Sequence, residues 1–247
     1  MLLLVAGLTH AGDDAWSDVM LNEFQEPIVW PSMPVSYVVN AANDAQLDVD
    51  GAVYAVVSAA SAWEWVQGSA VNLEFTGSSS VAAASHDGVN AVYFSDDWPA
   101  DASLLALTTV WSESTGKAVG FDIRINTRDH EWTLDPEAEP EKNDLQNTLA
   151  HEFGHALGFG HLEDDREATM YPSAPVGEQG KRDLTDADAA MAAAVYPDGS
   201  TPDAAPDEYE PLLAALCGTR PGSPAAIPTL FALAGLCVLR ARRLEVV

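Results

Sequence analysis

Three histidines and one glutamate lie within the short segment 151–161, which reads HEFGHALGFGH. His151 and His155 are four residues apart, so an α-helix would place both imidazoles on one face, within reach of a single ion. Glu152 would point to the side of that face, where a carboxylate can accept a proton from water without binding the metal itself. The spacing therefore predicts a metal site with a general base beside it.

A third histidine completes the ligand set. Gly158 can adopt the left-handed conformation that ends a helix, and the chain could then turn back and bring His161 to the same ion. Three imidazoles leave one coordination position open, which distinguishes a catalytic zinc from a closed structural one, and water bound to such a zinc has a pKa of about 7. We therefore predict one catalytic zinc held by His151, His155 and His161, with Glu152 as the base.

The same segment matches the long metzincin signature H-E-x-x-H-x-x-G-x-x-H, and residues 168–172, which read ATMYP, resemble the Met-turn of that group. The Met-Tyr-Pro ending is similar to that of the matrixins, the matrix metalloproteinase-like branch. This resemblance implies a monomeric zinc endopeptidase that acts on protein or peptide substrates. It also implies that Met170 lies beneath the zinc and that Tyr171 and Pro172 form the wall of the S1′ pocket.

Hydrophobic spacing predicts the elements that must position this site. Residues 48–66 carry apolar side chains at helical spacing, which predicts a long helix. Alternating apolar residues predict five strands, at 35–39, 71–75, 91–94, 104–111 and 119–125. The order of these elements, with a zinc helix after the last strand, resembles a matrixin catalytic domain over residues 27–197. We therefore expect an α+β, zincin-like metzincin fold with a mixed, twisted five-stranded sheet, two long helices and a C-terminal helix.

Capping residues mark the two helices that follow the sheet. Asn143 or Asp144 could cap the start of the zinc helix, and Thr185 could cap a final helix with Asp188 as the acid of a capping box. Matrixins carry a pair of aspartates here; Asp188 matches the second, whereas Ala187 replaces the first. Three roles therefore stay open for Asp188, which could complete the capping box, brace the Met-turn or bind the N-terminus of the mature chain.

The strand predicted at 104–111 resembles the edge strand that borders the substrate cleft of matrixins. Unpaired amides on such an edge can hold an extended peptide by strand addition, so we predict that Leu105 and Ala106 bind substrate through their backbone. Animal matrixins bind a second, structural zinc through histidines in this strand and the next, but the matching positions here are Leu107 and Gly120. We therefore predict one zinc per chain.

The charged and titratable residues outside the zinc site limit which further ligands and partners the chain could bind. The net charge of −27, from 38 acidic and 11 basic residues, argues against nucleic acid or an anionic membrane surface and favours a solvated acidic exterior. The aspartates could supply calcium ligands, although no loop shows a recognisable calcium spacing. We interpret His86 and His130 as solvated loop histidines.

The two ends of the chain predict export and tethering. Residues 1–11 combine a short apolar run with small residues that resemble a signal peptidase site, and residues 12–26 form an N-terminal extension. Residues 198–224 have the Pro-, Gly- and Asp-rich composition of a linker. The tail at 225–247 carries an apolar run over 225–239 followed by an arginine cluster, which predicts a membrane anchor. With Cys217 upstream, this tail resembles bacterial sorting signals of the myxobacterial type, which implies a cell-surface or extracellular protein.

Two other functions remain open on the sequence. One is a zinc-binding surface or adhesion module that has lost catalysis, against which the intact Glu152 and the open coordination position argue. The other is a metal hydrolase that acts on a substrate other than a peptide. Only the metal site itself supports this second alternative. The prediction is therefore a zinc endopeptidase, with these two functions as alternatives.

Overall fold

A computed structural model describes residues 16, 18–42 and 46–199 of the chain. The predicted signal at 1–11, the tail at 225–247 and most of the predicted linker lie outside the described residues. Within the described part, no helix is both long and apolar enough to cross a membrane.

Five strands form the mixed sheet that the sequence predicts. In chain order they are β1 (Val35–Asn40), β2 (Leu73–Ser78), β3 (Ala91–Ser95), β4 (Ala106–Ser112) and β5 (Ala118–Asn126). Their order across the sheet is β2-β1-β3-β5-β4. The first four strands in this order run parallel to one another, and β4 runs antiparallel to β5. Strand β4 is therefore an edge of the sheet, as predicted for the strand that borders the cleft.

In the described part of the chain, three α-helices accompany the sheet, namely α1 (Val49–Glu64), α2 (Leu145–Ala156) and α3 (Asp186–Val195), and a short 3-10 helix (Gly180–Arg182) precedes α3. Asp48 caps α1, since its carboxylate accepts the amide N–H of Gly51 at 2.9 Å. The expected α+β architecture is thus confirmed. A short parallel pair, β6 (Trp132–Thr133) and β7 (Asn143–Asp144), precedes α2. The sequence does not predict this pair, because strands this short show no alternation.

Apolar side chains hold α2 against the sheet. Leu145, Leu149 and Phe153 recur at helical spacing and are fully buried. The ring of Phe153 lies 5.2 Å from that of Tyr37 on β1 and 6.2 Å from that of Phe121 on β5. Burial of each such side chain contributes about 1.5–3 kcal/mol. This apolar stripe fixes the rotation of α2, and with it the direction in which the histidines of that helix point.

A buried carboxylate on β5 fastens the loop between β2 and β3. Asp122 is 2% exposed; one of its oxygens accepts the amide N–H of Ser85 at 2.9 Å, and the other accepts that of Ala91 at 3.0 Å. Burial raises the pKa of Asp122 to about 6, with a further rise from Asp87 and an opposing effect of the two hydrogen bonds and of Arg124. Ionisation of Asp122 is therefore less favourable in the folded chain than in the unfolded one.

We expect Asp122→Asn to remove part of the pH dependence of stability. The carboxyl has its ordinary pKa of 3.8 in the unfolded chain and a pKa of about 6 in the folded one. Its stabilising contribution is therefore complete below about pH 4 and is lost as the pH rises through about 6. Urea unfolding at several pH values should show the stability of the wild type, relative to the variant, falling across this window. A difference that stays constant with pH would contradict the assignment.

Candidate metal centre

Helix α2 carries two of the predicted ligands and starts at a buried aspartate. Asp144, rather than Asn143, is the N-cap, because its carboxylate accepts the amide N–H of Asn147 at 3.2 Å. The other carboxylate oxygen binds Nε of Arg182 at 2.6 Å, and the Asp144 side chain is fully buried. The first turn of the helix is thus tied to the chain segment that follows the Met-turn.

Side chains also supply hydrogen bonds at the C-terminal end of α2. The last carbonyl groups of any helix have no hydrogen-bond partners within the helix. The carbonyl oxygen of Ala156 accepts the indole N–H of Trp30 at 2.8 Å, and that of Leu157 accepts the hydroxyl of Tyr196 at 2.5 Å. Gly158 follows with φ of +93°, the left-handed conformation predicted to end the helix. The chain then reverses, as the third ligand requires.

The structure brings the three predicted histidines together. One ring nitrogen from each of His151, His155 and His161 lies within 4.8 Å of the others. The Nε2 atoms of His155 and His161 are 3.2 Å apart. The ring centroid of His151 lies 4.6 Å from that of His155 and 5.2 Å from that of His161, and the centroids of His155 and His161 are 4.8 Å apart. Across the residues that the structure describes, no other group of His, Cys, Asp or Glu side chains converges in this way.

Backbone carbonyl groups orient two of these rings. Nδ1 of His151 lies 2.7 Å from the carbonyl oxygen of Thr169, and Nδ1 of His155 lies 2.8 Å from that of Phe159. A ring nitrogen that faces a carbonyl carries the proton, so Nε2 keeps a free lone pair. Burial lowers the pKa of all three histidines, to about 4 for His161, which keeps them neutral. Three neutral imidazoles with converging lone pairs fit a zinc ion.

A hairpin near the N-terminal end supports the loop that carries His161. The amide of Met20 donates to the carbonyl oxygen of Gly158 at 2.7 Å, and the amide of Gly160 donates to that of Asp18 at 2.5 Å. The described part of the N-terminal extension thus shapes the ligand loop. No motif in the extension indicates this role.

Glu152 lies next to the first ligand on α2 and is only 6% exposed. Thr108 on β4 donates a hydrogen bond from its Oγ1 to Oε2 of Glu152 at 2.5 Å. Burial raises the pKa of Glu152 to about 7, and the bonds from Thr108 limit this rise. A carboxyl group with a pKa near neutrality can both take up and release a proton. Its placement and its pKa suit the predicted role of general base.

The Met-turn packs beneath α2. Met170 is fully buried, and a Cβ added at Gly154 would overlap its sulfur, so this helix and the turn are in close contact. The carboxylate of Asp188 accepts the amide N–H groups of Thr169 at 2.7 Å and Met170 at 3.0 Å. The same carboxylate accepts the amide of Thr185 at 3.0 Å and completes the capping box of α3. Asp188 therefore both caps the last helix and braces the Met-turn.

A buried lysine that no sequence motif indicates joins the Met-turn to the segment after it. Lys181 is 2% exposed, and its Nζ donates to the carbonyl oxygens of Thr169, at 3.2 Å, and Tyr171. The carbonyl oxygen of Thr169 is also the partner of Nδ1 of His151. Lysine is rarely buried, so the lysine in this short 3-10 helix carries no sequence signal for such a role.

The predicted substrate-binding residues lie on two segments. Just before β4, the carbonyl oxygen of Leu105 accepts the amide of Asn126 at 3.0 Å. The register of the antiparallel pair then turns the amide and carbonyl of Ala106 away from β5. Beyond Met170, Tyr171 is half-buried and Pro172 is exposed. Ala106 thus offers the unpaired backbone that strand addition requires.

In the part of the chain that the structure describes, two further histidines lie outside this centre. His86 is exposed, as expected, and its ring stacks on that of Trp111 with 5.7 Å between centroids. His130 is half-buried, and its Nε2 is shielded from solvent without a hydrogen-bond partner in the described part of the chain. The interpretation of His130 as a solvated side chain is therefore wrong, because the packing around its loop was not visible in the sequence.

The amino-acid sequence was compared with models of known protein families. A family model for the matrixins matches residues 29–197, which is well over half of the chain. The matched range includes the histidine triad, Glu152 and the Met-turn. A comparison with curated proteins finds no match.

Proposed function

Because the chain belongs to the matrixin family, which implies zinc-dependent endopeptidase activity, we propose that it hydrolyses internal peptide bonds of extracellular proteins. His151, His155 and His161 would hold the zinc, and Glu152 would act as the general base. The observation that carries the proposal is the convergence of three neutral imidazoles, two of them on α2, beside the buried carboxylate of Glu152 on that helix.

The chemistry divides between the ion and the protein. A zinc ion bound by the triad supplies Lewis acidity to the peptide carbonyl and to water. Glu152 takes a proton from the attacking water as the water oxygen bonds to the carbonyl carbon. Glu152 then gives that proton to the amide nitrogen as the C–N bond breaks, so that the amine leaves neutral. The products are two shorter peptides, and the carboxylate returns to its starting state.

We further propose that the substrate binds as an extra strand on β4. Because the carbonyl of Leu105 is already bonded to Asn126, Ala106 supplies the free backbone groups. Tyr171 and Pro172 would line the S1′ side of the cleft, as the family resemblance implies. Strand addition fixes the direction of the peptide, and the pockets then select its side chains.

We expect Ala106→Pro to raise KM strongly while the zinc content stays unchanged. Proline lacks the amide N–H that would bind the peptide, and this amide faces away from β5, so that the sheet keeps its own hydrogen bonds. Steady-state kinetics on an internally quenched peptide would measure the effect. Ala106→Gly retains the N–H and is the matched control, with a KM near that of the wild type. An unchanged KM in the proline variant would exclude strand addition at this residue.

Product analysis tests the proposed function. The protein should cleave an unfolded substrate such as casein, and mass spectrometry should find new termini at internal bonds. Cleavage of a peptide library would then define the side chains accepted on each side of the bond. A zinc-loaded protein that leaves all these peptides intact would instead support the non-catalytic binding module.

The extracellular setting is part of the proposal. Matrixins are typically extracellular, and the predicted signal at 1–11 and the predicted tail at 225–247 are those of an exported and tethered protein. The substrates would then be proteins that meet the cell surface.

A further inference from the structure

A threonine on the edge strand contacts the general base directly. Oγ1 of Thr108 lies 2.5 Å from Oε2 of Glu152 and 3.2 Å from the carbonyl oxygen of the same residue. The two residues are 44 positions apart in the chain. The contact therefore depends on how α2 packs against β4, and no local sequence pattern predicts it.

The contact restrains the carboxylate of Glu152. Among the described residues, both donors to the carboxylate of Glu152 belong to Thr108: its hydroxyl binds Oε2 at 2.5 Å, and its backbone N–H also interacts with the carboxylate and helps to lower its pKa. A glutamate side chain has several rotatable bonds, so burial alone does not fix the direction of its carboxylate. Donors on a rigid strand restrict it, and the hydroxyl of Thr108 holds Oε2 in place.

Threonine suits this task better than a longer donor would. Its β-branched side chain has few accessible χ1 rotamers, and its hydroxyl is held between the carboxylate and the backbone carbonyl of one residue. Ala106, which would bind the peptide backbone, lies two residues earlier on the same strand. One strand would therefore set the position of both the substrate and the base.

We propose that Thr108 is a positioning residue that orients Glu152 for proton transfer, an inference that rests on the proposed function. A purely structural role would give a different result, because a hydrogen bond that only stabilises the fold would affect unfolding rather than turnover.

The test compares three variants of the zinc-loaded protein. Thr108→Val has nearly the same shape but no hydroxyl, Thr108→Ala is a second variant that also lacks the hydroxyl, and Thr108→Ser keeps it. We expect kcat to fall by about tenfold to a hundredfold in the valine and alanine variants, with KM, zinc content and melting temperature close to those of the wild type. The serine variant should recover most of the rate.

Crystal structures of the same zinc-loaded proteins give a readout that does not require turnover. The carboxylate of Glu152 should occupy one rotamer in the wild type and the serine variant, and more than one in the valine and alanine variants. A single shared rotamer, or an unchanged kcat without the hydroxyl, would overturn the positioning role. An inactive wild type would overturn the proposed function instead, and the rotamers of Glu152 would still decide the role of Thr108.

Discussion

Replacement of Glu152 with glutamine should abolish peptide hydrolysis while zinc stays bound. Glutamine keeps the size of the side chain, and its amide oxygen can still accept the hydrogen bond from Thr108, but it cannot take a proton from water. General base catalysis contributes about 10²–10⁴-fold to a rate, so kcat/KM should fall by about 10³ or more. Kinetics on a quenched peptide and zinc analysis by mass spectrometry measure the two quantities. Glu152→Ala should give the same loss.

A matched control distinguishes the loss of the general base from the loss of a negative charge near the site. Glu163 is exposed and lies two residues after the third ligand, His161. Glu163→Gln changes the charge by the same amount and should retain most of the activity. Substantial hydrolysis by the zinc-loaded Glu152→Gln variant would show that Glu152 is not the base, whereas loss of zinc from that variant would show that Glu152 supports metal binding.

Alanine at position 158 should destabilise the protein by several kcal/mol and weaken zinc binding. Gly158 has φ of +93°, which costs an alanine about 1–2 kcal/mol. An added Cβ would also overlap the carbonyl oxygen of Ile28, a backbone atom that cannot move independently. Overpacking of this kind costs about 1–3 kcal/mol. Urea unfolding and a competition assay with a zinc-binding dye would measure the two effects.

The control for this variant is another glycine with the same backbone conformation. Gly88 has φ of +82°, and a Cβ added there would meet no atom within 4 Å. Gly88→Ala should therefore show the cost of the positive φ alone. If both variants lose equal stability, the contact between Ile28 and the ligand loop has no energetic importance.

The parts of the site that the sequence predicts are those encoded in short segments. His151 and His155 share a helical face because of the period of the helix, and Gly158 marks the turn because few other residues adopt a positive φ. The cap at Thr185 follows from local residue preferences, which also narrow the cap of α2 to Asn143 or Asp144. Such features depend on residues a few positions apart, so the pattern alone specifies them.

The parts that the sequence does not predict depend on contacts between distant segments. Thr108 on strand β4 bonds to Glu152 on helix α2, and the amide of Met20 bonds to the carbonyl oxygen of Gly158, far away in the sequence. Lys181 is buried because two carbonyl groups face it, whereas its residue type suggests solvent exposure. These contacts arise from packing, and a single sequence carries no local signal for them.

The central claim is that one zinc ion at the histidine triad makes this protein an endopeptidase. The most direct measurement strips the wild-type protein with a chelator, adds zinc in steps and follows cleavage of a quenched peptide. We expect no cleavage without metal and a rise that reaches its maximum at one zinc per chain. Cleavage by the metal-free protein, a maximum that requires two zinc ions, or no cleavage at full zinc occupancy would contradict that claim.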